Sequence, residues 1–346
     1  MPVRRPSLLA ALMLALVAPI GAPAHALDVP TNAPPLVPGG MRGMWLWQSD
    51  ALLDSPAMQK ELASVAGVMG VTDLFLYINP NYWASRPAEI ASFVTLMNKS
   101  HFKVWAADGC RCYLDDSEGP KNYYAGIDAL IAYNRTALPW ARFVGFHSDI
   151  EPQDIKSSPA SFHNDIAGSK LNATGGGVWK ASQAADRNAL LIDWLTIQHK
   201  ASEQLHAQGL RFGAAMPWWT EAYVGEQVTV DIGGGTRAPF SQIAMGMLDD
   251  YVVMSYATDP LTAAEHASAQ AALASALAPA TKVRLSAAME TEKGVGEGVS
   301  YGDTPGKQSK AMVMVDMTIL QRALQRYPAF AGVSIEDWNG FRTLPR

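Results

Sequence analysis

Residues 142–152 read RFVGFHSDIEP, and this stretch decides the fold. Phe143, Val144, Phe146 and Ile150 put apolar side chains on both parities of an extended segment, so both faces of that strand expect cover. Strands of this kind belong to parallel sheets covered by helices, whereas a strand with one wet face alternates apolar and polar residues. Seven other runs share the character: Met41–Trp47, Thr72–Ile78 and Phe102–Ala107 before it, and Leu210–Met216, Asp250–Tyr256, Lys282–Ala288 and Phe330–Ile335 after it. Apolar residues at three- and four-residue steps predict helices between them, over Pro56–Met69, Pro87–Ser100, Tyr123–Leu138, Asp186–Gln208, Leu261–Leu277 and Lys307–Arg326. Only Phe240–Leu248 is available for a helix between the fifth and sixth strands, and the chain stops soon after the eighth. Strict alternation of this kind predicts an α/β fold, a (β/α)8 TIM barrel with its last helix expected to be lacking. An open doubly wound sheet would want a glycine-rich turn after its first strand, and none follows Trp47.

The 346 residues carry 27 Lys+Arg against 32 Asp+Glu, a formal net charge of -5, so no basic surface is available to neutralise phosphates and nucleic acid is excluded as a partner. The 2 cysteines, Cys110 and Cys112, are too few for a disulfide scaffold or a four-cysteine zinc module. They are left as either an oxidised pair or two thiols. Residues 1–26 read as a signal peptide: Arg4 and Arg5, the apolar run from Leu8 to Val17, then Ala24-His25-Ala26 as a cleavage site. That run is shorter than the ~18 apolar residues a span requires, so the expectation is a secreted or periplasmic protein with no permanent membrane anchor. Residues 27–40 hold four prolines and read as a tether, which leaves 41–346 as a single barrel domain. Two long loops, Pro152–Ala185 and Pro217–Pro239, follow the fourth and fifth strands and would shape a groove at the mouth. Their glycine triplets, Gly175-Gly176-Gly177 and Gly233-Gly234-Gly235, lack the Lys-Ser/Thr continuation of a phosphate cradle and read as loop turns.

In a barrel the chemistry sits at the carboxyl ends of the strands. The fourth strand puts His147, Asp149 and Glu151 on one face and Phe146, Ser148 and Ile150 on the other. Three ionisable groups on one face of an apolar strand are expensive to bury without a purpose. A carboxylate beside another carboxyl raises its pKa, which keeps a general acid protonated. A capped strand end with Asp149 in a structural ion pair is the plain alternative. A His-x-Asp-x-Glu metal site lacks a second ligand cluster, so neither a metal nor a cofactor is expected. The sixth strand ends with Tyr256, the seventh with Glu290 and Glu292, and the eighth with Asp337 and Trp338. Trp45, Trp47, Tyr77, Trp218 and Trp219 stand near the same mouth. Aromatic walls with a few carboxylates suit an uncharged ring-shaped polyol, so the expected partner is a polysaccharide or oligosaccharide.

Asp149-Ile150-Glu151, Met254-Ser255-Tyr256 and Trp338 together resemble the glycoside hydrolases of family 18, the chitinase-type barrels. The resemblance implies Glu151 as general acid/base and Asp149 as the group that orients the substrate's N-acetyl, which itself attacks the anomeric carbon. It implies Tyr256 as partner of that N-acetyl group and Trp338 as the floor of the sugar site. Trp47, Tyr77, His147, Trp218, Glu290, Glu292 and Asp337 would complete the substrate contacts. This sequence departs from the family pattern at His147 and Val144, where the family has Asp, and at Trp105-Ala106-Ala107-Asp108-Gly109, which lacks its Ser-x-Gly-Gly. Two other readings stay open. One is a two-glutamate retaining glycosidase with Glu151 as acid/base and Glu290 or Glu292 as nucleophile. The other is a carbohydrate-binding barrel without catalysis.

Overall fold

The structure is a computed structural model that describes residues 34–36, 39–114, 118–151, 184–223, 226–278 and 280–346. The expected signal peptide, most of the expected tether and nearly all of the loop Pro152–Ala185 lie outside the described residues.

All eight apolar runs form strands: β1 (Gly43–Leu46), β2 (Asp73–Tyr77), β3 (Lys103–Asp108), β4 (Gly145–Ser148), β5 (Arg211–Pro217), β6 (Asp250–Met254), β7 (Arg284–Glu290) and β8 (Phe330–Glu336). They close into a barrel in the order β1-β8-β7-β6-β5-β4-β3-β2, every neighbouring pair parallel. The main covering helices are α1 (Pro56–Val68), α2 (Pro87–Lys99), α3 (Gly119–Thr136), α4 (Ala184–His206), α5 (Phe240–Met245), α6 (Pro260–Leu277), α7 (Lys310–Leu324) and α8 (Trp338–Thr343). The final helix is therefore present in truncated form, six residues long. Local chemistry sets several helix starts. Ser55, Asp259 and Ser309 each accept a hydrogen bond from a backbone N–H of the first turn of α1, α6 and α7, and Pro56 and Pro260 open α1 and α6. Gly233, Gly234 and Gly235 all have positive φ and turn a small hairpin between Thr229–Asp231 and Arg237–Pro239.

Alternate strand residues build two cores. Outward residues such as Leu76, Val104, Phe212, Val253 and Ile335 pack under the helices, while Trp45, Phe75, Trp105, Val252 and Ala288 fill the bore. Trp45, Phe75 and Trp105 are register partners across β1, β2 and β3, so three aromatic rings occupy one level, each worth about 2–3 kcal/mol of burial. Below them, at the amino ends of the strands, Asp250 pairs with Arg211 at 2.8 Å and Arg284 at 2.6 Å, and Asp73 accepts from Trp105 Nε1 at 2.9 Å. The carboxyl ends of the strands form the opposite end of the barrel, its mouth.

The expected tether is, in its last described residues, part of that lower end. Arg42 donates to the Pro34 carbonyl at 2.8 Å and to Gln321 Oε1 at 2.9 Å, and Gln321 Nε2 donates to the Pro35 carbonyl at 2.7 Å. Proline carbonyls are strong acceptors, and a buried guanidinium needs several of them. Proline content alone therefore misreads residues 34–36 as free spacer. Among the described residues no helix is long and apolar enough to cross a membrane.

Candidate active site

The inward parity of each strand continues to the mouth. β1 delivers Trp47, β2 Tyr77, β4 Asp149 and then Glu151, β6 Tyr256, β7 Glu290 and β8 Glu336. Glu290 and Glu336 are register partners on adjacent parallel strands, so their carboxyl groups leave the sheet side by side. The Trp47 indole N–H donates to Glu336 Oε1, and the Trp47 ring lies 5.9 Å from that of Tyr77. Glu290 Oε1 accepts the Glu292 backbone N–H at 2.7 Å. The end of β4 is fixed from outside, where Trp194 of α4 donates to the Ile150 carbonyl at 3.0 Å.

Burial dominates the electrostatics. Glu290 is 4% exposed, and its carboxyl is pushed up to about 8, first by desolvation and then by the charges of Glu292 and Asp337. Asp149 is pushed up to about 7 by burial and then by Asp108 on the neighbouring strand. Its Oδ1 is buried without a hydrogen-bond partner. Glu336, 9% exposed, is held well above the carboxylate range by burial, then by Glu290 and Asp149. The Tyr256 hydroxyl is likewise held protonated, by burial and then by Glu336, Glu290, Asp149 and Glu151. Four carboxyl groups from three strands thus act on one phenol. At neutral pH Glu290 and Glu336 store protons at the mouth, while Asp149 stands near its midpoint. Such a surface can donate hydrogen bonds to sugar oxygens and hand a proton to a leaving group.

Other candidates sit elsewhere. His147 has the inward parity but is one level too deep: 0% exposed, stacked on Phe75 at 4.0 Å and 5.3 Å from Trp45. Both its ring nitrogens lack partners, and burial lowers its pKa to about 3, so it is a neutral core ring sealed from the mouth rather than a substrate contact. Trp338 is 3% exposed and packs in the shell under the helices, because the strand ends at Glu336 and Asp337 starts a helix. Asp337 Oδ1 accepts the Gly340 N–H at 2.7 Å as the cap of α8, and its carboxyl is raised to about 6 by burial. Trp218 is 40% exposed on the rim, stacked on His266 at 4.1 Å. Glu292 is half-buried beside Glu290. Cys110 and Cys112 are joined as a disulfide just after β3. Among the described residues no group of three His, Cys, Asp or Glu side chains is placed to hold a metal.

Sequence reasoning missed two members of this neighbourhood. Glu336 continues the inward parity of Ser334, a signal that was available in the sequence. Asp108 takes a hydrogen bond from the Tyr113 hydroxyl, and its backbone carbonyl accepts the Asp149 N–H at 3.0 Å. Only the pairing of β3 with β4 brings Asp108 beside Asp149.

No protein-family model matches the chain, and no curated protein matches it. Solved structures similar to it include a chitinase from Chromobacterium violaceum, at 11% identity and TM-score 0.47 over 87% of this chain and 95% of that one. A plant class V chitinase mutant from Cycas revoluta in complex with (GlcNAc)3 is similar at 10% identity and TM-score 0.49, over 87% and 95%. The spore cortex-lytic enzyme SleL of Bacillus megaterium is similar at 10% identity and TM-score 0.49, over 87% and 71%. Likeness at this level bears on neither chemistry nor substrate, and the barrel is defined by its own strand order.

Proposed function

We propose that this chain is an exported glycoside hydrolase acting on a glycan, with Glu151 as general acid/base and Asp149 and Tyr256 supporting it. The observation that carries the reading is that Asp149, Glu151, Tyr256, Glu290 and Glu336 share the inward parity at the carboxyl ends of β4, β6, β7 and β8, where the carboxyl charges reach the Tyr256 hydroxyl. Glu151 would protonate the glycosidic oxygen as its bond to the anomeric carbon breaks. In the substrate-assisted route that the family resemblance implies, the acetamido oxygen of the same sugar forms the new bond to that carbon. The Tyr256 hydroxyl would hold this oxygen in line, and Asp149 would take the hydrogen bond of the acetamido N–H. Glu151, now a carboxylate, would then remove a proton from the water that opens the cyclic intermediate.

The electrostatics weigh against Glu290 as the nucleophile of the two-glutamate route. A nucleophilic carboxylate must be ionised, and Glu290 is held protonated to about pH 8. A panel of β-linked oligosaccharides, with the acetamido group at C2 or a plain hydroxyl there, tests the reading. Cleavage confined to acetamido sugars is expected. Equal cleavage of both would restore the two-carboxylate reading. Binding without cleavage by the wild type would leave a carbohydrate-binding barrel.

A further inference from the structure

The resemblance assigns the sugar's aromatic floor to Trp338, yet that ring packs in the outer shell, 3% exposed. Trp47 is the half-buried indole at the mouth, and the seam between β1 and β8 is where it is held. β1 and β8 share a single register pair, Met44 with Ile335, so their upper ends are thinly joined. Above that pair the Trp47 N–H donates to Glu336 Oε1, a side chain-to-side chain bond that spans the seam. The Tyr77 ring lies tilted beside the same indole, with ring centroids 5.9 Å apart.

Resting on the carbohydrate reading above, we propose that Glu336 is a positioning residue that fixes the Trp47 indole as the face on which the glycan's sugar ring stacks. The chemistry suits the place. A sugar ring has an apolar C–H face that lies on an aromatic plane, and a ring already held in one rotamer does not have to be ordered when the sugar arrives. Burial keeps the Glu336 carboxyl protonated, so it accepts from the indole without leaving a bare charge against a neutral sugar.

The test is steady-state hydrolysis of the oligosaccharide that the wild type cleaves fastest, by the wild type, Glu336→Gln, Glu336→Leu, Trp47→Phe and the double variant Glu336→Leu/Trp47→Phe. Thermal unfolding of each checks the fold. Glu336→Leu should raise KM about tenfold, a larger change than in kcat, because an unpinned indole must be ordered at each binding event. Glu336→Gln keeps an acceptor oxygen and should restore a KM close to wild type. Trp47→Phe lacks the N–H, so adding Glu336→Leu to it should change nothing further. A fall in kcat at unchanged KM, or a Glu336→Leu effect that persists in the Trp47→Phe background, overturns the proposal. Wild-type hydrolysis indifferent to every variant overturns it alone. A wild type that neither binds nor cleaves any of the glycans overturns the carbohydrate reading and this inference together.

Discussion

Replacing Glu290 by Gln should make the protein more stable, and increasingly so as the pH rises. The carboxyl titrates from an ordinary value of 4.5 in the unfolded chain to about 8 in the fold. Between those limits the folded state binds more protons than the unfolded one, so stability falls with rising pH. Each pH unit of difference is worth about 1.4 kcal/mol, which gives a ceiling of about 4–5 kcal/mol across the window. Glutamine keeps the size and the oxygen that accepts the Glu292 N–H, and it has no charge to strand. Urea unfolding of wild type and Glu290→Gln at pH 4 and pH 8 measures the effect. The advantage of the variant should be small at pH 4 and approach about 4 kcal/mol at pH 8. A difference of the same size at both pH values would show that Glu290 is ionised in the fold, and the proton-store account of the mouth would fall.

Other perturbations probe the same region. Asp108→Asn removes the charge that adds to burial in raising Asp149, so the limb of the pH–kcat/KM profile set by Asp149 should move to lower pH; an unmoved limb would separate the two carboxyls. Gly109→Ala would put a Cβ 2.1 Å from the Asp149 carbonyl oxygen and should cost more than about 3 kcal/mol in chemical unfolding, a loss under 1 kcal/mol refuting the close approach. His147→Phe removes an imidazole whose pKa falls from 6.5 to about 3 on folding. The unfolded wild type gains that proton and the folded one does not, so the variant's advantage should be about 3 kcal/mol greater at pH 4 than at pH 7. An advantage independent of pH would mean that the ring is solvated.

The barrel was legible because strands covered on both faces cannot hide their composition. Each run with apolar residues on both parities became a strand, and the weakest expected helix became the six-residue α5. Parity also carried most of the mouth: Trp47, Tyr77, Asp149, Glu151, Tyr256 and Glu290 stand at inward positions near the strand ends. Depth was not legible. His147 and Asp149 share a face, but two residues separate them by roughly 7 Å along the strand, the difference between packed bore and mouth. Parity also fails where a strand stops. Trp338 would lie inward if β8 continued, but the Asp337 cap turns the chain into α8 and leaves Glu336 as the last inward side chain. The register of β8 is shifted against β7 near Leu285 and Ser286, and Gly332 there comes so close to Met41 that a Cβ would stand 2.2 Å from its carbonyl oxygen. That irregularity belongs to a contact between distant segments, which no local pattern reports.

The proton attributed to Glu151 is open to one direct measurement: turnover and glycan affinity of Glu151→Gln beside the wild type. The account predicts a loss of about 10²–10⁴ in kcat with affinity held within a few-fold. Undiminished hydrolysis by the glutamine variant would contradict it.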